Sequence, residues 1–130
     1  MGVSGMDVQI GRVYDHSAAR GRTRVLVDRL WPRGIRKEAP PWDLWLKEAA
    51  PSAALRTWYH ANPEAVEEFR RRYREELSDG EAQCQALERL RAMAQAGGVV
   101  LVTATRDVER SQVPVLRDAL LAAAGCSPAR

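Results

Sequence analysis

The chain is poor in the residues that covalent and metal-dependent enzymes use. Its 130 residues include only two cysteines and two histidines. The cysteines, Cys84 and Cys126, stand far apart and show no metal-ligand spacing. The glycine-rich phosphate loops, the G-x-S-x-G nucleophile motif and the H-E-x-x-H metal motif are also absent. We therefore expect no metal and no cofactor, and the common covalent mechanisms are disfavoured.

Long apolar runs are absent as well. No run approaches the roughly 18 residues that a membrane-spanning helix needs. The N-terminal MGVSGMDVQIGR lacks the charged segment and apolar core of a signal peptide. We therefore expect a cytoplasmic protein with no membrane partner, and a disulfide is not expected in that reducing compartment.

Lysine is rare too, and eighteen of the twenty cationic side chains are arginine. The net charge of +3 is unevenly spread: residues 1–40 hold eight cations and four acids, whereas the rest holds twelve and thirteen. Arginine can bind phosphate or carboxylate through two parallel N–H groups, so the N-terminal excess favours an anionic ligand. A GC-rich genome, which favours arginine codons everywhere, is the competing explanation.

The apolar pattern predicts an α/β fold. Strands are predicted over residues 8–15, 23–29 and 99–105, and the apolar runs VLV (25–27) and VVLV (99–102) suit strands buried on both faces. Helices are predicted over 42–50, 52–60, 63–77, 81–96 and from Ser111, with Ser52 and Asn62 as N-caps. The helical connection makes the second and third predicted strands parallel neighbours. We expect one small domain over residues 1–130, a mainly parallel sheet of three to four strands packed with helices, with disordered ends at about 1–6 and 124–130.

Polar residues gather where two of these strands end. Asp28 and Arg29 precede WPRG (31–34), and the last strand runs into Thr105 and Arg106. Because ligands of open α/β sheets bind beyond the carboxyl ends of the strands, we expect Asp28, Arg33 and Arg106 to converge on one crevice. Backbone N–H groups of the Gly34 turn would add to it, and such a crevice suits phosphate or carboxylate.

All four tryptophans and one histidine lie between residues 31 and 60. Trp42, Trp45 and Trp58 are interpreted as core residues, whereas Trp31 could also stack on a ligand beside arginine. His60 could transfer a proton or could cap the end of its helix. Asp28, as a general base or orienting group, and His60 are the candidate catalytic residues.

Several segments resemble a known family. They are RVYD (12–15), RVLVDRLWPRGIRKE (24–38), Trp45 with Lys47, PSAALRTWYH (51–60), F-R-x-x-Y-x-x-E-L (69–77) and VLVTATRD (100–107). In these the chain resembles the YeaO-like family, also called domain of unknown function 488, over roughly residues 8–122. The resemblance implies a small cytosolic bacterial α/β domain and implies no known activity.

The resemblance also points to residues and to one departure. The matched polar positions overlap the crevice, and we take as ligand-binding candidates Arg12, Tyr14, Arg29, Trp31, Arg33, Gly34, Lys37 and Arg106. The family often has an Asn-His-Ala type segment entering the final helix, where this chain has Ser111-Gln112-Val113. Gln112 can keep a hydrogen bond but cannot transfer a proton at neutral pH. If the family's chemistry depends on that histidine, this chain is altered or inactive in that step.

Three functions are compatible with the sequence. The first is binding of, or catalysis on, a small anionic molecule bearing phosphate or carboxylate, such as a nucleotide. The second is a partner-binding or structural protein, in which Asp28 pairs with a buried arginine. The third is a nucleic-acid-binding module, favoured by the basic N-terminal third and disfavoured by the absence of a known motif. The sequence decides neither the ligand, nor whether the protein is an enzyme, nor its oligomeric state.

Overall fold

A computed structural model describes residues 7–14 and 21–122 and contains a four-stranded sheet. The strands are β1 (Val8–Arg12), β2 (Thr23–Leu26), β3 (Leu44–Trp45) and β4 (Val99–Thr103). Their order is β1-β4-β2-β3, and all neighbouring pairs are parallel. The predicted small α/β domain with a mainly parallel sheet is therefore confirmed, as is the pairing of β2 with β4. The ends for which disorder is predicted lie outside the described residues.

Helices cover one face of this sheet. They are α1 (Ala53–Ala61), α2 (Val66–Asp79), α3 (Glu81–Ala96) and α4 (Val113–Leu121), with short 3₁₀ helices at Lys47–Ala49 and Val108–Arg110. Helix α2 packs through an apolar stripe, because Phe69, Tyr73 and Leu77 are buried in the core between the helices and the sheet.

Strand β4 is apolar without interruption because both of its faces are covered. Val99 and Leu101 pack in the cluster formed with the helices, and Val100 and Val102 pack in a second cluster on the opposite face. Successive side chains of a strand point to opposite sides, so a central strand with two covered faces needs apolar residues at every position.

Three tryptophans cover the second face of the sheet in place of helices. The ring centre of Trp31 lies 4.9 Å from that of Trp42 and 5.3 Å from that of Trp45, and both contacts are edge-on. Trp42 is buried beside Leu26, and Trp31 and Trp45 are half-buried around it. The core assignment of Trp42 and Trp45 is confirmed, and Trp31 belongs to the same cluster.

Three of the predicted helices differ from the structure in type or in starting residue, and the three predicted strands end two or three residues earlier than expected. Residues 42–50 form no α-helix, because Leu44 and Trp45 pair with Val25 and Leu26 as the edge strand β3, and only Lys47–Ala49 form a short 3₁₀ helix. Helix α2 begins at Val66 and not at residue 63, because Asn62 ends α1 and its side-chain amide donates to the Trp58 carbonyl. Helix α4 begins at residue 113, two residues later than predicted.

Two further observations concern the membrane and the cysteines. Within residues 7–14 and 21–122 there is no helix long and apolar enough to cross a membrane. Cys84, half-buried on α3, is disulfide-bonded in the structure, so the expectation of reduced cysteines is wrong at this residue. The other cysteine, Cys126, lies outside the described residues.

Candidate functional site

A cleft of about 400 Å³ opens beyond the carboxyl ends of β2 and β4. These two strands end together because Leu26 pairs with Val102, so the residues that follow them meet at one edge of the sheet. The described residues that line the cleft are Asp28, Arg29, Leu30, Trp31, Pro32, Pro51, Arg56, His60, Phe69, Ala104, Thr105 and Gln112. The predicted location of the site at the strand ends thus coincides with a real cavity.

Asp28 is fixed inside the cleft by hydrogen bonds from neutral groups. Its Oδ1 accepts from the Thr103 hydroxyl at 2.6 Å and from the Gln112 amide at 2.9 Å, and its Oδ2 accepts from the Ala104 N–H at 2.9 Å. The expectation that Asp28 pairs with a buried arginine is wrong, since none of these donors is cationic. The carboxylate therefore brings a negative charge to the cleft and is held by β4 and by the residue preceding α4.

Gln112 connects the start of α4 to the end of β2. Its Nε2 donates to the Val27 carbonyl at 2.9 Å and, at the same distance, to Oδ1 of Asp28. The side chain is buried, and both donor hydrogens of the amide are used by these two acceptors. Gln112 thus makes hydrogen bonds, as the sequence allows for an amide. An amide in this position cannot transfer a proton at neutral pH.

Arg29 is held by the backbone of the segment that precedes α1. Its Nε donates to the Pro51 carbonyl at 2.9 Å and its Nη2 to the Ala50 carbonyl at 3.3 Å. The Tyr73 hydroxyl also holds this segment, because it donates a hydrogen bond to the Ala49 carbonyl. Burial of the Tyr73 side chain raises its pKa. Among the described residues, no acceptor is found for the N–H groups of Nη1 or for the second N–H of Nη2.

Helix α1 adds two groups with nitrogen donors to the cleft. Arg56 and His60 lie one turn apart on this helix, and both are exposed. Both candidate catalytic residues, Asp28 and His60, therefore line one cleft, a juxtaposition that the sequence leaves undecided.

Apolar side chains form the walls beside these polar groups. Leu30, which is 55% exposed, and Phe69, which is buried, both line the cleft. Trp31 donates its ring N–H to the Ile35 carbonyl at 2.7 Å, so the indole is fixed by the loop that follows it. The cleft thus combines polar groups with fixed apolar surface.

Two predicted ligand-binding residues lie at the end of β1, away from the cleft lining. The guanidinium carbon of Arg12 is 5.2 Å from the ring centre of Tyr14, a cation–π contact, and Tyr14 is 51% exposed. The Nε of Arg12 is buried without a hydrogen-bond partner. Neither residue is among the described residues that line the cleft.

Four further candidates lie on the surface near the same edge of the sheet. Arg33, Gly34 and Lys37 are exposed in the loop after β2, and Arg106 is exposed after β4. Gly34 has a φ of 86°, a backbone conformation that favours glycine. Arg33 and Arg106 are not among the described residues that line the cleft with Asp28. Their part in ligand binding stays a prediction.

Sequence reasoning missed Arg56 as a cleft residue and named Gln112 only as a departure from the family pattern. Arg56 carries no signal that separates it from the other helix arginines, because its position depends on how α1 meets the strand ends. A signal for Gln112 does exist: its place just before a helix that follows the last parallel strand puts it near the carboxyl end of the sheet. Among the described residues, no group of three or more His, Cys, Asp or Glu side chains could hold a metal ion.

Comparison with known proteins gives consistent relatives. A family model described as "Inactive DUF488-N3 subclade" matches residues 7–127. An uncharacterized protein of Mycobacterium tuberculosis is 46% identical over 113 residues, which cover 87% of this chain and 92% of the relative. The uncharacterized protein YeaO of Escherichia coli is 36% identical over 113 residues, covering 87% of this chain and 96% of YeaO. No solved structure matches the chain. The chain belongs to the YeaO-like DUF488 family, in the branch described as an inactive subclade.

Proposed function

We propose that this protein binds a small anionic molecule in the cleft at the ends of β2 and β4 and does not convert it chemically. The observation that carries the proposal is Arg29: two backbone carbonyls fix its guanidinium at the cleft, and several of its N–H groups have no acceptor within residues 7–14 and 21–122. A preorganised guanidinium binds an oxyanion at a small entropic cost. Arg56 and His60 on α1 add donors to the same cleft.

Two observations support binding without catalysis. Asp28 is held by three donors, and this arrangement suits an anchoring group better than a base that must exchange protons. The family model that matches nearly the whole chain is described as an inactive subclade. The proposal also includes a cytoplasmic location in a bacterium, as the sequence predicts, and the disulfide at Cys84 is the observation against that location.

A thermal-shift screen of the full chain tests the proposal. The panel contains phosphate, sulfate, nucleotides, small carboxylates and a short oligonucleotide. An anion at a hundred times its dissociation constant stabilises a protein by about 2.7 kcal/mol, which raises the melting temperature of a domain of this size by several degrees. We expect such a shift from one anion class and its loss in Arg56→Gln, because Arg56 is exposed at the cleft. Arg89→Gln, an exposed arginine of α3 outside the cleft, is the matched control and should keep the shift.

Other outcomes of the same screen favour the other functions. No shift from any anion would contradict the proposal and favour a partner-binding or structural protein. If Arg33→Ala and not Arg56→Gln removes the shift, the anion binds the exposed loop after β2. A shift confined to the oligonucleotide, with an affinity that falls steeply as salt rises, would indicate a nucleic-acid-binding module.

A further inference from the structure

We infer that the ligand of this cleft is a monoanionic carboxylate with a flat or branched apolar body, such as an aromatic acid. The inference rests on the proposed function and narrows its ligand class. It depends on three properties of the cleft: its formal charge, the free edge of Arg29 and the exposed apolar side chain of Leu30.

The formal charge of the cleft matches a single negative charge. The described lining residues include two guanidinium groups, Arg29 and Arg56, and one carboxylate, Asp28. With His60 counted as neutral, these groups leave one unit of positive charge. A phosphate monoester, which carries nearly two negative charges near neutral pH, would exceed this balance and would also face the Asp28 carboxylate. A monoanion matches this balance and is repelled less by Asp28 than a dianion.

The free edge of Arg29 has the geometry that a carboxylate needs. The edge formed by Nε and Nη2 is occupied by the carbonyls of Pro51 and Ala50. The other edge, between Nη1 and Nη2, carries two parallel N–H groups, which match the two oxygens of a carboxylate. Because Arg29 is fixed by two carbonyls, this edge is held in place before any ligand arrives.

The cleft is too large for a bare ion, and two of its side chains offer apolar contact. A water molecule occupies about 30 Å³ in the liquid, so a cleft of about 400 Å³ has room for roughly a dozen water molecules or a body of similar size. Leu30, more than half exposed, and the fixed indole of Trp31 offer apolar contact to such a body. Covering this surface is favourable in proportion to the apolar area removed from water.

Calorimetric titration of the full chain with four matched probes tests the inference. The probes are benzoate, acetate, benzamide and phenyl phosphate, measured in low salt at pH 8, where an unperturbed histidine is neutral. Acetate lacks the apolar body of benzoate, benzamide lacks its charge, and phenyl phosphate carries a second charge. We expect benzoate to bind at least about tenfold more tightly than acetate or phenyl phosphate, and benzamide to show no saturable binding.

A pair of leucine variants locates the apolar contact. Leu30→Ser should weaken benzoate binding by roughly threefold to tenfold and leave acetate binding unchanged, because it removes apolar surface and no charge. Leu121→Ser is the matched control, since Leu121 is also an exposed leucine (41%) but lies at the end of α4 outside the cleft lining. It should bind benzoate as the unmodified chain does.

The outcomes separate this inference from the proposed function. If phenyl phosphate or acetate binds as tightly as benzoate, or if Leu30→Ser has no effect, the ligand class is wrong while anion binding stands. If benzoate fails to bind and the thermal-shift screen finds another anion, the inference again fails alone. If no anion binds in either experiment, both fail.

Discussion

At the scale of single residues, Asp28 has two consequences for the molecule. Its carboxylate supplies the negative charge of the cleft, and it also joins β2 to β4 and to the start of α4 through Thr103, Ala104 and Gln112. Hydrogen bonds to a charged group contribute more than those between neutral groups, and each donor left without its acceptor in a buried place costs further free energy. A residue of the candidate site is thus also part of what holds the strand ends together.

Replacing Asp28 with alanine should therefore destabilise the fold even in the absence of any ligand. We expect Asp28→Ala to lower the free energy of unfolding by about 2–4 kcal/mol, because three donors lose their acceptor. Urea denaturation followed by circular dichroism measures the change. The control is Asp118→Ala. Asp118 is an exposed acid of α4 whose contact with Arg117 is long, at 3.7 Å. This variant should change the free energy of unfolding by no more than about 0.5 kcal/mol. Equal effects of the two variants would show that the Asp28 network contributes nothing to stability.

The sequence predicts the position of a site residue best when that residue lies at the end of a strand. Asp28 and Thr103 end apolar strand runs, so topology alone brought them to one edge of the sheet. The partners of Arg29 could not be predicted, because the carbonyls of Ala50 and Pro51 carry no sequence signal. The position of Arg33 outside the cleft lining could not be predicted either, because the course of an irregular loop is not encoded in any periodic pattern.

At the scale of elements, α2 shows how local charge pairing accompanies tertiary packing. Its apolar stripe faces the core, and on its surface Arg71 and Arg72 each donate to Glu68 at 2.7 Å. The hydrogen bonds from Arg71 first, and then from Arg72, lower the pKa of Glu68 to about 2. The outer face of α2 is thus a solvated surface with local ion pairs.

The lowered pKa of Glu68 predicts a specific pH dependence. Because the carboxyl is more acidic in the folded chain than in the unfolded one, its ionised form favours folding. This contribution is fully present above the unfolded pKa of about 4.3 and is lost as the pH falls towards 2. A carboxyl-detected NMR titration should give Glu68 a midpoint near 2. In Arg71→Gln the midpoint should rise, and an unshifted midpoint in the unmodified chain would contradict the ion pairs.

Elements whose ends depend on distant contacts were the ones predicted wrongly. Residues 42–50 have no strong period of their own, so their pairing with β2 decided their conformation. Ser52 illustrates the reverse case: it caps α1 as predicted, by accepting from the Leu55 N–H at 3.1 Å. Its additional bonds to Glu76 on α2, from the backbone N–H at 2.8 Å and from the hydroxyl, depend on helix packing and had no local signal.

At the scale of the whole molecule, one sheet separates two unlike layers. Regular helices pack on one face, whereas irregular backbone carrying Trp31 and Trp42, together with Trp45 of β3, packs on the other. The sheet residues alternate between the two layers, with Val25 in the first cluster and Leu26 in the second. The two layers share the strands between them. If the packing of either layer were lost, the apolar surface of these strands would be exposed to water. We therefore expect the layers to unfold together.

This coupling is testable because different signals report on the two layers. Circular dichroism at 222 nm follows the helices, whereas tryptophan fluorescence mainly follows the second face, which holds three of the four tryptophans. In urea both signals should give the same midpoint and the same slope, about 1–3 kcal/mol per molar. Trp42→Ala should lower the unfolding free energy by about 3–5 kcal/mol and move both midpoints together, because Trp42 is buried in the second layer alone. If the fluorescence transition came at a lower urea concentration than the circular dichroism transition, the tryptophan layer would unfold separately. The walls of the cleft at Leu30 and Trp31 would then be lost before the helices.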